Sequence, residues 1–137
     1  MKYGNGERQG MRYQGQTITM QNDLKARTKA LALSIIRLYE PLPKTVEAQV
    51  IGKQILRSGT SVGAQYREAH RSRSDAEFIS KMEGALQELD ETTYWLELLT
   101  EANVIREEHL TDLLREADEL TAIFVASVRR VKSRRGS

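Results

Sequence analysis

Basic side chains form two clusters in the sequence, and both could bind phosphate groups. The first cluster contains Arg67, His70, Arg71 and Arg73, and Lys53 and Arg57 precede it at helical spacing. The second is the C-terminal "VRRVKSRRGS", which has no acidic residue and contains Arg129, Arg130, Lys132, Arg134 and Arg135. Basic side chains gain affinity for nucleic acid by releasing the counterions condensed on its phosphates. The clusters therefore predict binding to RNA or DNA. The alternative is a tail that aids solubility and interacts favourably with a helix C-terminus.

Aromatic residues do not alternate with the basic residues in either cluster, as they do in modules that stack bases. The chain also has no recognised base-reading motif. Binding through the two clusters should therefore have little sequence specificity.

Catalytic and metal-binding patterns are not evident in the sequence. A di-metal bundle needs Glu-x-x-His pairs, but Arg67 precedes His70 and Arg106 precedes His109 at that spacing. No strand leads into a glycine-rich phosphate loop, and no Ser/His/Asp order is evident. The segment from residue 74 to 105 has one basic residue against eight acidic ones, and we interpret its carboxylates as a solvated or interface face. We expect no enzymatic activity, no metal and no cofactor.

Apolar residues recur at alternating steps of four and three, which is one face of a helix. A first helix should begin after Asn22 or Asp23 and end at "EPLPK", because proline interrupts a helix. A second starts near Thr45, and a third is announced by Ser74 and Glu77, a capping box. Asn103 is suited to the left-handed position after the third helix. The fourth follows "VI" and repeats the same step from Leu110 to Val131.

Gly52 and Gly59 fall on the apolar face of the second helix, together with Ala48, Ile55, Val62, Tyr66 and Ala69. Each glycine costs about 1 kcal/mol relative to alanine inside a helix. Close approach of another helix would compensate for this cost, so we favour one continuous helix with a thin face. The alternative is a break near Gly59.

The predicted fold is an all-α, antiparallel, up-and-down, left-handed four-helix bundle. Residues 1–21 are expected to be a flexible arm, residues 22–132 the bundle and residues 133–137 a flexible basic tail. The absence of cysteine suits a cytoplasmic protein. The longest apolar run, near "AIFVASV", is far shorter than the ~20 residues that span a membrane.

The segment "LPKTVEAQVIGKQILRSGTSVGAQYREAHRSRSDAEFISKMEGALQELDETTYWLELL" resembles the four-helix-bundle family named after proteins encoded in intervening sequences of bacterial 23S ribosomal RNA genes. The most specific matching positions are Leu42-Pro43, Gln54, Arg57-Ser58, Thr60-Ser61, Tyr66 to Ala69, Glu77-Phe78, Lys81 and Glu88-Leu89. One departure is Gln65, where the family usually has Asn. The resemblance implies a bundle that often assembles as a homopentamer and has no established enzymatic activity. A related branch comprises accessory proteins of diversity-generating retroelements, which are basic pentamers that bind nucleic acid and a reverse transcriptase.

We therefore expect a non-enzymatic, oligomeric bundle that binds nucleic acid through its basic surfaces. The alternative is a protein-binding scaffold, such as a retroelement accessory subunit that docks on a reverse transcriptase. Glu88 and Glu91 are expected to face Arg57 or Arg67, within the chain or across a subunit boundary, and the alternative is simple exposure at the surface. The predicted interface residues, in a homopentamer, are Gly59, Glu88, Glu91, Trp95 and Leu98.

Overall fold

The chain folds into four long helices, as the apolar repeats predict. A computed structural model describes the backbone of residues 12–136 and the side chains of residues 23–135. The helices are α1 (Arg12–Tyr39), α2 (Val46–His70), α3 (Asp75–Glu101) and α4 (Thr111–Gly136), and a 3₁₀ turn (Glu107–His109) precedes α4. No strand occurs in this described part of the chain. The fold is an all-α, up-and-down four-helix bundle in which α2 packs extensively on both α1 and α3.

Helix α2 is continuous through its glycines, which confirms the thin-helix interpretation. Gly52 and Gly59 are both buried. A Cβ atom at position 59 would lie 2.8 Å from Cγ1 of Ile35, and one at position 52 would lie 2.7 Å from Cδ1 of Leu42. Because these distances are shorter than a van der Waals contact, the two glycines let α1 and the chain after it approach the backbone of α2.

The α2–α3 interface is also narrow. Ser58 and Thr92 are fully buried within it, and a hydrogen bond of 2.8 Å joins their hydroxyl groups. Further along, a Cβ atom at Gly84 of α3 would lie 3.0 Å from Oε1 of Gln65. The longer Gln65 side chain, the departure from the family pattern, therefore packs onto a glycine that leaves room for it.

Few contacts join α1 to α4, and among the side chains that the structure describes an ion-pair network links the two helices. The Arg27 guanidinium donates hydrogen bonds of 2.9 and 2.7 Å to the Glu116 carboxylate and one of 2.9 Å to Glu119. The hydrogen bonds to Glu116 raise the pKa of Arg27 above its ordinary value, so it stays charged. This network fixes the register of α1 against α4.

The predicted helix ends of α3 are confirmed. Ser74 accepts a hydrogen bond of 3.0 Å from the backbone N–H of Glu77, and the Glu77 carboxylate accepts one of 2.8 Å from the backbone N–H of Arg73. At the other end, Asn103 has a positive φ of 61°. The Val104 N–H then donates to the Leu99 carbonyl at 2.8 Å, which completes a Schellman motif.

The two ends of the helical region differ from the prediction. Helix α1 begins at Arg12 and not after Asn22 or Asp23, and three of the four glycines of the predicted arm, Gly4, Gly6 and Gly10, precede it. Residues 1–11 and Ser137 lie outside the described residues. Helix α4 continues to Gly136, so residues 133–136 are helical. Arginine is a good helix former and is favoured near a helix C-terminus, and Arg134 also lies 3.7 Å from the Asp75 carboxylate. The division into arm, bundle and tail otherwise stays a prediction.

The core has two apolar clusters along the bundle axis. One contains Leu31, Val62, Leu89 and Phe124, and the other contains Ile35, Ile55, Leu96 and Leu110. None of the helices in the described part of the chain is long and apolar enough to cross a membrane.

Candidate nucleic-acid interface

The two basic clusters meet at one end of the bundle, around a pocket of about 470 Å³. Helix α2 ends there, α3 begins there, and α4 ends there. The lining residues come from all four helices and the α2–α3 connection: Leu24, Tyr66, Ala69, His70, Ser72, Arg73, Ser74, Asp75, Phe78, Met82, Ser127, Arg130, Val131 and Arg134. We call the arginines around this pocket, Arg71, Arg73, Arg130 and Arg134, the basic end, and His70 lies beside them.

Local structure explains why these arginines lie together. The α2–α3 connection has only four residues, and the hydrogen bond from the Arg73 N–H to Glu77 fixes its last turn. On α4, Val128 and Val131 are buried in the core, so this helix stays packed up to its last turns. Arg130 and Arg134 are four residues apart, and such positions lie on the same side of a helix. The pocket therefore has arginines from two separate segments on its rim.

Three aromatic rings stack beneath the pocket. The Phe124 and Tyr66 rings have centroids 5.5 Å apart and an interplanar angle of 15°. The Tyr66 and His70 rings follow at 6.3 Å and 13°. Phe124 is fully buried, Tyr66 is 4% exposed and His70 is half-buried, so the stack leads from the core towards the surface. Tyr66 and His70 both line the pocket.

Burial and charge shift the pKa values of two of these groups. Burial, with a contribution from Asp23, raises the pKa of Tyr66 to about 12, so its phenol stays protonated. Burial also lowers the pKa of His70, and the positive charges of Lys25 and Arg71 lower it further. The imidazole of His70 is therefore neutral near pH 7, and it can act as one donor and one acceptor of hydrogen bonds.

The predicted nucleic-acid-binding residues do not form one surface. Arg73, Arg130 and Arg134 line the pocket, and Arg71 is close enough to His70 to lower its pKa. Lys132 forms an ion pair of 3.0 Å with Glu83 on the side of the bundle. The remaining exposed residues, Arg67, Arg129 and Arg135, lie outside the pocket lining.

Lys53 and Arg57 are far from the basic end. At roughly 1.5 Å per helical residue, Lys53 lies about 26 Å along α2 from His70. Arg57 is already paired within the chain, because it lies 3.3 Å from Glu88 and also contacts Glu91. This pairing confirms the intrachain form of the Glu88/Glu91 prediction for Arg57.

The predicted interface residues have different surroundings. Gly59 is buried against Ile35, so its role lies inside the bundle. Trp95 is half-buried beside the second core cluster, and its ring lies edge-on to Tyr94 with centroids 5.0 Å apart. Its indole Nε1 is buried and has no hydrogen-bond acceptor among the described residues. Leu98 is partly exposed on α3.

Sequence reasoning missed the aromatic component of the site. Aromatic residues do not alternate with the basic residues of either cluster in the sequence, but the fold brings Tyr66 and Phe78 to the pocket that carries the arginines. Tyr66 precedes the cluster by one residue, and the periodicity places it only on the apolar face of α2. The described residues contain no group of three His, Asp or Glu side chains that could hold a metal ion.

Comparison with known proteins agrees with the helical architecture. A family model described as 23S rRNA-intervening sequence protein matches residues 20–126. The chain belongs to this family. The crystal structure of a protein of unknown function from the S23 ribosomal protein family of Bacteroides thetaiotaomicron VPI-5482 has 38% sequence identity and a TM-score of 0.74 to this chain, and the alignment covers 80% of this chain and 97% of that one. None of the curated proteins matches this chain.

The matched residues include only part of the surroundings of the pocket. His70, Arg71 and Arg73 lie inside the matched residues 20–126, whereas Arg130 and Arg134 lie beyond them. The pocket is therefore lined both by residues inside the matched region and by residues of α4 beyond it.

Proposed function

We propose that this member of the 23S rRNA-intervening sequence protein family is a non-enzymatic, cytoplasmic bundle that binds RNA or DNA through its basic end. The convergence of Arg73, Arg130 and Arg134 on one pocket is the observation that supports this proposal. Among the described residues of the pocket lining, Asp75 is acidic and Arg73, Arg130 and Arg134 are basic, so this part of the rim has an excess of positive charge. Guanidinium groups bind phosphate oxygens in a bidentate manner, which favours arginine in such sites.

The proposed binding has little sequence specificity. Contacts with phosphates position a protein on nucleic acid but do not read the base sequence. The arginines on the rim come from helix ends and a short connection, and neither supplies a recognition helix for the major groove. We expect affinities that depend strongly on salt and weakly on sequence.

A salt titration with matched variants tests this proposal. The test variant is Arg73→Gln/Arg130→Gln/Arg134→Gln. The control, Lys44→Gln/Arg106→Gln/Arg115→Gln, makes the same charge change with exposed residues at the opposite end of the bundle. Fluorescence anisotropy with labelled RNA and DNA should show weaker binding and a shallower salt dependence for the test variant alone. The slope should fall by at most about 0.9 for each duplex phosphate that the variant no longer neutralises. If affinity and salt slope fall equally in both variants, the effect depends only on net charge, which would contradict the proposal.

We also propose self-association, with a homopentamer as the expected assembly. Leu33, Ile36, Val46, Val50 and Tyr94 are large apolar residues that remain exposed, and Val46 is 78% exposed. Exposed apolar surface is common at sites of association, and cyclic closure would cover it in every copy. Light scattering after gel filtration should show a species several times heavier than the 15.6 kDa chain. A monomer at all concentrations would contradict this proposal.

The same apolar residues support an alternative function as a scaffold for another protein, such as a reverse transcriptase. In that case Val46→Ser/Val50→Ser would abolish partner binding, whereas substitution of the basic end would leave it unchanged. A wild-type chain that binds no nucleic acid at low salt would favour this alternative.

A further inference from the structure

The aromatic stack beneath the basic end stops at a ring that lines an open pocket. Phe124, Tyr66 and His70 are nearly parallel, and exposure increases along this order from 0% at Phe124 to half-buried at His70. Inside the protein, each of the first two rings has a neighbouring ring on its outer side. Among the described residues, no further ring stacks on His70. The pocket therefore offers a place where a fourth flat ring could extend the stack.

The pocket also combines surfaces that a nucleic acid duplex cannot use together. Its walls include the apolar side chains of Leu24, Phe78 and Met82, while Arg73, Arg130 and Arg134 stand among the residues that line it. A duplex presents its phosphates outward and keeps its base faces stacked inside. It could contact the arginines, but it would leave the apolar walls and the stack empty. An unpaired nucleotide can offer a base face and a phosphate at once.

We propose that the pocket binds one unpaired nucleotide, whose base stacks on His70 and whose phosphate contacts the arginines of the rim. This inference rests on the proposed nucleic-acid binding and specifies its ligand as single-stranded RNA or DNA. The volume of about 470 Å³ lies within the range of small-ligand pockets. Stacking tolerates every base because each has a π face, so this mode agrees with weak sequence specificity.

Three ligands of equal length test the contribution of the base. They are a labelled single strand, the corresponding duplex, and a single strand of abasic sites with the same number of phosphates. The abasic strand should bind about tenfold more weakly than the strand with bases, in the range expected for loss of one base–aromatic stack. Equal affinities for these two single strands would overturn the inference, whereas the proposed phosphate binding would survive.

Variants of His70 test the position of the base. His70→Ala should weaken binding of the single strand by about tenfold, the size expected when one stack is removed. It should leave the affinity for the duplex and for the abasic strand unchanged, and His70→Phe should retain single-strand affinity because it keeps a flat ring. His109→Ala, at the opposite end of the bundle, is the matched control.

The outcomes separate the two proposals. Weaker binding of all three ligands by Arg73→Gln/Arg130→Gln/Arg134→Gln, together with a His70→Ala variant that lowers only single-strand affinity, supports both. A His70→Ala variant that binds all three ligands as the wild type does would overturn the stacking inference alone. If the wild type binds none of the three ligands at low salt, the nucleic-acid function itself is wrong. Thermal unfolding verifies that each variant is folded, and if His70→Ala is not, the abasic comparison on the wild type decides.

Discussion

The hydroxyl groups of Ser58 and Thr92 are joined by a hydrogen bond of 2.8 Å in the fully buried interface between α2 and α3. Thr92 also bonds to the Glu88 carbonyl in its own helix at 2.7 Å. Glu88 in turn lies 3.3 Å from Arg57 of α2. The buried hydroxyl pair in the core and the Arg57–Glu88 ion pair at the surface therefore both connect α2 to α3, and Glu88 takes part in the contacts of both.

Thr92→Val should destabilise the bundle by about 1–3 kcal/mol, because it leaves the buried Ser58 hydroxyl without its partner across the interface. Adding Ser58→Ala should recover part of that loss, since the double variant no longer has an unpaired hydroxyl group at this point of the interface. Urea unfolding followed by circular dichroism measures both values. Thr60→Val is a control on the exposed side of α2 and should change stability by less than about 0.5 kcal/mol. Additive losses in the double variant would show that the two hydroxyl groups act independently.

Gly59→Leu should cost on the order of 1–3 kcal/mol, because even the first side-chain atom would lie 2.8 Å from the fully buried Ile35. Ile35→Ala should partly relieve this cost by removing the atoms that clash, so the two changes should not be additive. The measurement is again the free energy of unfolding. An unchanged Gly59→Leu protein would contradict the close approach of α1 and α2.

Gly84→Ala is the matched control for a glycine whose neighbour can move. There, the nearest atoms belong to the end of the flexible Gln65 side chain at 3.0 Å. The gain of about 0.5–1 kcal/mol from replacing glycine by alanine in a helix should offset that close approach. We expect a stability equal to or slightly above that of the wild type.

The sequence was sufficient for these internal features because they depend on periodicity and local chemistry. Gly52 and Gly59 share a face at helical spacing, and Ser74 and Glu77 have the spacing of a capping box. The aromatic stack could not be predicted in the same way. Tyr66 and His70 are one turn apart, but the position of Phe124 depends on how α4 is rotated and shifted against α2. The pocket could not be predicted for the same reason. Arg73 and Arg130 are 57 positions apart in the sequence, and the packing of α4 on the bundle brings them together.

The predicted beginning of α1 and the predicted end of α4 are wrong for a different reason. Glycine at one end of the chain and dense charge at the other both favour a prediction of disorder. Helix α1 nevertheless includes Gly15, and α4 includes five basic residues in its last turns. Packing of Val128 and Val131 in the core holds the end of α4 in place. A local charge pattern does not report this tertiary contact.

Stability should fall as the pH drops below 6.5, and His70 should contribute to this fall. Burial, Lys25 and Arg71 lower its pKa in the folded state below the ordinary value of 6.5. The unfolded chain then binds the proton more tightly, so the free energy of unfolding decreases as the pH falls through 6.5 and levels off below the folded pKa. Melting temperatures of the wild type and His70→Phe across this range measure the contribution. His109→Gln shows how much the other histidine contributes to the change in melting temperature. If the wild type and His70→Phe have parallel pH profiles, His70 does not contribute to the loss of stability.

Nucleic-acid binding should change in the opposite direction with pH. A phosphate bound at the basic end would favour the imidazolium form of His70, so affinity should increase as the pH falls below 6.5. His70→Phe should keep its affinity at neutral pH and lose this increase. Anisotropy titrations at constant ionic strength measure the effect, because salt alone changes the affinity.

The length of a truncation at the C-terminus should decide whether it affects binding alone or the fold as well. Removing residues 134–137 eliminates Arg134 and Arg135, which are exposed, and keeps Val131, which is 8% exposed. The ion pair between Arg134 and Asp75 that this truncation removes is long and exposed, so it should contribute less than about 1 kcal/mol to stability. This truncation should therefore leave the melting temperature nearly unchanged while it weakens binding and flattens its salt dependence.

Truncation after Val128 also removes Val131 from the core, and complete loss of such a side chain should cost about 1.5–3 kcal/mol. Paired measurements of melting temperature and of the salt slope distinguish the two effects. Equal affinities and equal slopes for the full-length chain and the shorter truncation would show that Arg134 and Arg135 do not bind phosphate.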